Sequence, residues 1–347
     1  MSKQDKLKYF DPNNLGDKNA NIFGLPFTTG EASLVIIPVP WEVTVSYRAG
    51  TAKGPQAIFD ASFQVDLYDP EIKDAWKSGI AMDEIPAAIQ KKSKSLRPKA
   101  ESCIRILESG KEQSPVLKKN QAEINTACKE MNAWVRKRCL HFLNKKKQVA
   151  LLGGDHSTPL GMMQALAEKN ESFGILQIDA HADLRDAFEG FEFSHASIMF
   201  NALKIPQVSK LVQVGIRDYC QAEADLVRNS KGRITCFYDR DIKKRQYKGD
   251  TWKEICKDIV SALPPAIYLS FDIDGLDPKL CPNTGTPVAG GFESEQVLFL
   301  IEAVLDSGRT ILAFDINEVA PGKDEWDANV GARMLYRIAN SVANSKK

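Results

Sequence analysis

Short apolar runs alternate along the chain with stretches in which apolar residues recur every three or four positions. The runs are Leu34–Val39, Val149–Leu152, Phe173–Ile178, Leu211–Val214, Ile234–Phe237, Ala266–Phe271 and Ile311–Phe314. Each is bounded by Gly, Pro or polar residues, as strands buried on both faces of a sheet must be. Between them, Ile124, Ala127, Met131, Val135, Cys139 and Phe142 mark one face of a long helix. Further helices are predicted over Pro159–Glu168, Trp252–Leu263, Glu293–Leu305 and Ala328–Ala343. Strand alternating with helix implies right-handed crossovers and a largely parallel sheet with helices on both faces, an α/β fold. Residues 1–33 are polar and rich in Asn, Asp and Gly, and read as an N-terminal arm outside the core. No linker divides the remainder of the chain, so 34–347 is expected to form a single domain. The stretch Gln90–Lys99 reads as a basic surface insertion in a solvated loop.

Composition narrows the classes of function. The 347 residues carry 46 basic and 45 acidic side chains, a net charge of +1, which gives no reason to expect a nucleic acid or anionic membrane partner. No uncharged apolar run approaches the ~18 residues of a membrane span, and the N-terminus has no signal-peptide core. Seven scattered cysteines without a C-x-x-C pair argue against a disulfide framework and for a reducing cytoplasm. Only four histidines are present. His141 sits among Lys and Arg late in the long helix, and reads as a surface or packing residue.

Three apolar runs end in clusters of metal-binding side chains: Val149-Ala-Leu-Leu-Gly-Gly-Asp-His-Ser157, Ile175-Leu-Gln-Ile-Asp-Ala-His-Ala-Asp183 and Ile267-Tyr-Leu-Ser-Phe-Asp-Ile-Asp-Gly-Leu-Asp-Pro278. In an open parallel sheet, ligands bind beyond the carboxyl ends of the strands. Extended alternation would bring Asp179, His181 and Asp183 to one side, and likewise Asp272 and Asp274. Four carboxylates gathered at a buried edge need counter-charge, and two divalent cations supply it. Asp179, Asp183, Asp272, Asp274, His156 and His181 form an oxygen and nitrogen donor set without thiolate. Manganese or another first-row divalent metal suits it better than structural zinc. A paired-metal site can acidify a shared water to give hydroxide near neutral pH. Taken singly, these residues have blander readings, with Ser157 as a helix N-cap and Asp277-Pro278 as a turn. Asp155 and Asp277 read as loop-shaping.

At these residues the sequence resembles the ureohydrolase (arginase and agmatinase) family. The likeness extends to Tyr47-Arg-Ala-Gly-Thr-Ala-Lys-Gly-Pro-Gln-Ala-Ile58, Thr284-Gly-Thr-Pro287 and Asp315-Ile-Asn-Glu-Val-Ala-Pro321. It implies a three-layer α/β/α arginase-like fold around a parallel sheet of about eight strands, and two metal ions per chain, manganese or alternatively nickel. It also implies that His156, Asp179, Asp183 and Asp272 hold one ion, and His181, Asp179, Asp272 and Asp274 the other. Glu318 would face a cationic guanidinium, His195 in Phe193-Ser-His-Ala-Ser197 would shuttle protons, and Asp183 would orient the attacking hydroxide. A homo-oligomer, a trimer or hexamer, is the family's usual state.

The resemblance implies hydrolysis of a small guanidino compound to urea and an amine, with agmatine the favoured substrate. Arginases place a polar residue after the second signature, where Leu184-Arg185 stands here. Trp41-Glu42-Val43-Thr44 departs from the smaller agmatinase segment, and a bulky Trp41 near the pocket could shorten it toward guanidine itself. Some agmatinase-like proteins are nickel-dependent guanidine hydrolases. Arg185 resembles a residue of formimidoylglutamate hydrolases that meets a substrate carboxylate, although it could simply pair with Asp186 or Glu189. A zinc deacetylase of the arginase-like fold is the reading from another class. Nucleotide-binding glycine loops and a serine-hydrolase elbow are absent from the sequence.

Overall fold

In the computed structural model, which describes residues 3–345, each of the apolar runs forms a strand. The strands are β1 (Leu34–Val39), β2 (Ile80–Met82), β3 (Gln148–Gly153), β4 (Phe173–Ile178), β5 (Val208–Val214), β6 (Ile234–Phe237), β7 (Ala266–Asp272) and β8 (Thr310–Asn317). They make one 8-stranded sheet in the order β2-β1-β3-β8-β7-β4-β5-β6, and every pairing is parallel. All six residues of β1 and all six of β4 are buried, which is why these segments carry no polar alternation. The additional strand, β2, is three residues long, too short to show a pattern.

The helices are α1 (Lys3–Tyr9), α2 (Gly54–Ser62), α3 (Ala87–Glu108), α4 (Pro115–Leu143), α5 (Leu160–Ala167), α6 (Ile198–Ala202), α7 (Gln221–Asn229), α8 (Asp239–Tyr247), α9 (Trp252–Ser261), α10 (Ser294–Asp306) and α11 (Trp326–Asn344). They pack in two sets: α3, α4 and α5 in one, and α2, α11, α10 and α9 in the other. With the sheet they build the three-layer α/β/α arrangement. No described helix is long and apolar enough to cross a membrane.

Two expectations are corrected. The basic stretch Gln90–Lys99 is not a loop but the middle of α3, whose inner face buries Ile89, Ser93, Leu96, Ala100, Cys103 and Ile104. Its lysines occupy the outer face, so composition concealed a helical period. The segment read as an arm also contributes to the core. Ile22, Phe23, Leu25 and Phe27 are buried, and Phe23 packs edge-on against Tyr336 of α11 at 4.9 Å. Asn21 holds this segment to the sheet edge: its side chain accepts from Met82 N (2.7 Å) and donates to Met82 O (3.1 Å).

Candidate metal centre

The four central strands, β3, β8, β7 and β4, are adjacent and parallel, so their carboxyl ends open onto one edge. β3 leads to His156, β4 to Asp179, His181 and Asp183, β7 to Asp272 and Asp274, and β8 to Glu318. The turn after β3 needs its glycines. A β-carbon on Gly153 would collide with the Asn317 side chain, and one on Gly154 with the Trp41 backbone. Within that turn, Asp155 accepts from the Ser157 N–H at 3.0 Å, the loop-shaping role expected of it. Ser157 does not cap α5, whose first turn starts from Pro159.

Convergence of the carboxylates does not come from extended alternation. β4 ends at Ile178, Ile273–Gly275 is a short 3-10 turn, and Asp183 adopts φ +54°. Instead three of the four carboxylates are fixed by nearby donors. Asp179 accepts from His181 N (2.6 Å) and Gln177 Nε2 (2.7 Å), Asp272 from Asp274 N (2.9 Å) and Asp274 from Ala180 N (3.1 Å). Glu318 is also left-handed, at φ +64°. Non-glycine residues rarely stay in this region unless the surroundings hold them there, and two of the site's carboxylates do so.

The geometry forms two overlapping donor groups, His156 with Asp179 and Asp272, and Asp179 with His181 and Asp274; within each, the ligand atoms lie within 4.8 Å of one another. His156 Nδ1 stands 3.0 Å from Asp179 Oδ2, 3.0 Å from Asp183 Oδ2 and 3.2 Å from Asp272 Oδ2. His181 Nδ1 stands 3.0 Å from Asp274 Oδ2 and 3.7 Å from Asp179 Oδ1. On the far side of its ring, His156 Nε2 meets Ser270 Oγ at 2.9 Å, and Ser270 donates to Asp315 at 3.1 Å.

Electrostatics test whether cations fit. Burial pushes the Asp183 carboxyl up to about 7, reinforced by the charge of Asp179. Burial and the charges of Asp274 and Asp179 push Asp272 well above the usual carboxylate range. Burial would depress His156, yet Asp179, Asp183 and Asp272 around it raise it well above its ordinary value. Protons are thus drawn to Asp183, Asp272 and His156, whereas His156 and His181 overcome burial to hold the Asp179 carboxyl below the usual range. His156 Nδ1 is buried without a hydrogen-bond partner while three carboxylate oxygens face it. An orphaned nitrogen lone pair among anions fits a divalent cation, which would replace those protons.

The centre forms part of the lining of a cleft of about 400 Å³, through His181 and Asp183 together with His195, Arg185, Tyr47, Arg48, Phe188, Asp218, Tyr219 and Thr286. A larger groove of about 1190 Å³ lies elsewhere, beside Asp83 and Arg138, and none of the predicted site residues line it. His195 is in neither donor group. Burial and the charges of His181 and His156 depress its pKa to about 3. Glu318 is buried behind the centre. Its Oε1 accepts from His156 N at 2.8 Å, and Oε2 occupies the space that a side chain at Gly285 would need. Burial, with the charges of Asp155 and Asp274, raises its carboxyl well above the usual range.

Trp41 is not in the cleft wall. It is fully buried in the hydrophobic core, and only its backbone serves the site, where Asp155 N donates to Trp41 O at 2.8 Å. Arg185 does line the cleft but pairs with neither Asp186 nor Glu189: it lies 3.9 Å from Glu223 and stacks over Phe188 at 4.6 Å. Reading the sequence for ligands missed Asp218, Tyr219 and Glu223. Asp218 follows the run Leu211–Val214, so the strand-end rule that found the aspartates would have found it too.

A model of the arginase family matches residues 32–341. The chain is 29% identical over 319 residues to the N(1)-aminopropylagmatine ureohydrolase of Synechocystis sp., covering 91% of each chain. It is 30% identical over 322 residues to the enzyme of that name from Thermococcus kodakarensis, covering 90% of this chain and 92% of the relative. The agmatine ureohydrolase of Thermoplasma volcanium superposes with a TM-score of 0.69 at 20% identity, over 98% of this chain and 97% of that one.

Proposed function

Because this chain belongs to the arginase family, we propose that it hydrolyses the guanidino C–N bond of a small guanidino compound, releasing urea and an amine, with agmatine the favoured substrate. The observation that carries this reading is the pair of donor groups sharing Asp179 and opening onto a cleft lined by the unligated His195. Two divalent cations held by His156, Asp179, Asp183, Asp272, His181 and Asp274 would supply counter-charge and acidify water for attack on the guanidino carbon. The thiolate-free donor set favours manganese, with nickel the alternative. Asp183 orients the attacking water. His195, whose depressed pKa keeps it neutral, accepts a proton and passes it to the departing amine. Glu318, whose carboxyl is raised by burial, would ionise beside a bound cationic group and so serve as its buried counter-charge.

The wall favours an amine tail over a carboxylate tail. Arg185 is engaged by Glu223 and Phe188, and Arg48 by the Tyr47 ring and the Pro282 carbonyl. Asp218 keeps its carboxylate 70% exposed, 4.0 Å from His181 Nε2. That arrangement weighs against formimidoylglutamate, and two donor groups weigh against a single-zinc deacetylase. We place the enzyme in the cytoplasm as a homo-oligomer, trimer or hexamer, which light scattering on the purified chain checks.

The decisive experiment measures urea released by protein loaded separately with Mn²⁺ or Ni²⁺. Agmatine, N(1)-aminopropylagmatine, arginine, guanidinobutyrate and guanidine are the substrates, with formamide followed for formimidoylglutamate. Agmatine is expected to turn over fastest, in protein holding about two ions per chain. Guanidine as the preferred substrate would replace the agmatine reading, and no product from any compound would end the hydrolase reading.

A further inference from the structure

The cleft wall that contains Tyr47 and Arg48 has almost no main-chain support. Among the described residues, no N–H from Glu42 to Ala52 donates to another backbone carbonyl. Side chains hold the segment instead, and α3 provides two of them. Ser93 and Arg97 are four residues apart and share one face of that helix. Ser93 is buried and its Oγ accepts from Glu42 N at 3.1 Å. The Arg97 side chain is only 13% exposed; its Nη1 donates to Val43 O at 3.2 Å and also to Val45 O, and Glu101 pairs with its Nε at 3.2 Å. Glu42 closes the far end of the segment. Its carboxylate accepts from Gly50 N at 2.5 Å and Ala52 N at 3.2 Å. The segment is therefore pinned at both ends and gripped in the middle, with Val43, Thr44 and Val45 buried and Tyr47 and Arg48 exposed to the cleft.

We propose that α3 is a brace for the substrate cleft, in which Arg97 is a positioning residue that, with Ser93, fixes the Glu42–Arg48 wall and thereby sets substrate affinity. A guanidinium suits the task because Nη1 donates to both carbonyls while Nε, on the other side of the same plane, stays beside Glu101, a spread of donors that a compact ammonium does not cover. Thr44, between the two gripped carbonyls, also lies against His195: its backbone favours the protonated ring, opposing the effect of burial. The basic surface of α3 is then the solvated back of an element whose front serves the site.

Backbone amide exchange at Glu42, Gly50 and Ala52, the hydrogen-bonded amides that frame the wall, measured on the full-length metal-loaded protein, tests the brace without reference to turnover. Arg97→Met keeps the aliphatic stem and removes the donors. It is expected to speed exchange there about tenfold while metal content and melting temperature hold, with Arg97→Lys intermediate and Ser93→Ala smaller in effect. Only the kinetic arm rests on the hydrolase reading. With the best guanidino substrate, KM should rise about fivefold in Arg97→Met while kcat stays within about twofold. Exchange equal to that of the parent in both Arg97→Met and Ser93→Ala overturns the brace. If no guanidino compound is cleaved, the functional reading fails and amide exchange still decides the brace. Should Arg97→Met not fold, Ser93→Ala decides it alone.

Discussion

The residues that carry the chemistry here are expensive to bury, and each shows how the chain offsets that cost. Asp179 lies between His156 and His181 and is shared by both donor groups, so it is the hinge of the centre. His195 pairs with no carboxylate among the described residues; Ser194 Oγ approaches its Nδ1 at 3.3 Å and the Thr44 backbone bonds to the ring. That freedom suits a group that must gain and lose a proton within one turnover. His195→Asn should lower kcat about 10² to 10⁴-fold while metal content stays at the parental value. Loss of metal along with activity would instead make His195 a ligand. Ligand types were legible in the sequence because packing alone seldom places Asp and His together at the ends of apolar runs. Their geometry was not. Asp183 and Glu318 adopt positive φ while bonded to distant segments, Asp183 O accepting from Met199 N and Glu318 N donating to Gly154 O, and no local pattern encodes such contacts. Trp41 misled for a related reason, because its size drew attention to a side chain while the site uses its backbone.

At the scale of elements, strands were easier to read than helices. A strand buried on both faces leaves a continuous apolar run, so β1 and β4 match their predicted limits; β6 matches as well, although it is an edge strand in which only Ile234 is buried. α3 was hidden by its lysines and by Pro98 in its interior, although Ile89, Ser93, Leu96, Ala100 and Cys103 recur at helical steps. Near the N-terminus, α1 packs Leu7 against the core and is tied down in addition by Glu31. Glu31 accepts from Lys6 Nζ at 2.7 Å and from Thr28 N at 2.9 Å, while its carbonyl holds Lys3 Nζ at 2.8 Å. The Lys6 and Thr28 bonds hold the Glu31 carboxyl down at about 2, against an ordinary value of 4.5. A depressed acid stabilises the docked state above its unfolded pKa. The attachment of α1 should therefore be intact at neutral pH and weaken as pH falls from about 4.5 toward about 2. Amide exchange in Lys3–Tyr9 across that window should show the release. In Glu31→Gln, exchange there should already be faster at pH 7 and should lose the acid-dependent step. Because the pair is partly exposed, added salt should blunt the difference. Parent and variant with superimposable pH profiles would contradict this account.

For the molecule as a whole, the charge balance of +1 conceals a buried edge dense in aspartate. Stripping metal with a chelator should lower the melting temperature. Each ion at a thousandfold excess over Kd contributes about 4 kcal/mol, which corresponds to roughly 5 to 6 °C in a chain of this size. Readdition of Mn²⁺ should restore it, and an unchanged melting curve after verified removal would show that the edge tolerates its carboxylates unaided. The sheet order carries a further consequence for how the protein is made. His156 and Glu318 meet through a hydrogen bond that spans 162 residues, and β8 slots between β3 and β7 rather than joining an outer edge. A chain emerging from the ribosome cannot close the centre until its C-terminal strand has been inserted into the middle of the sheet. Pairings of such high sequence separation form late and slowly. Metal capture thus waits on the insertion of β8: the cation should retard unfolding of the folded protein while leaving the rate of refolding nearly unchanged.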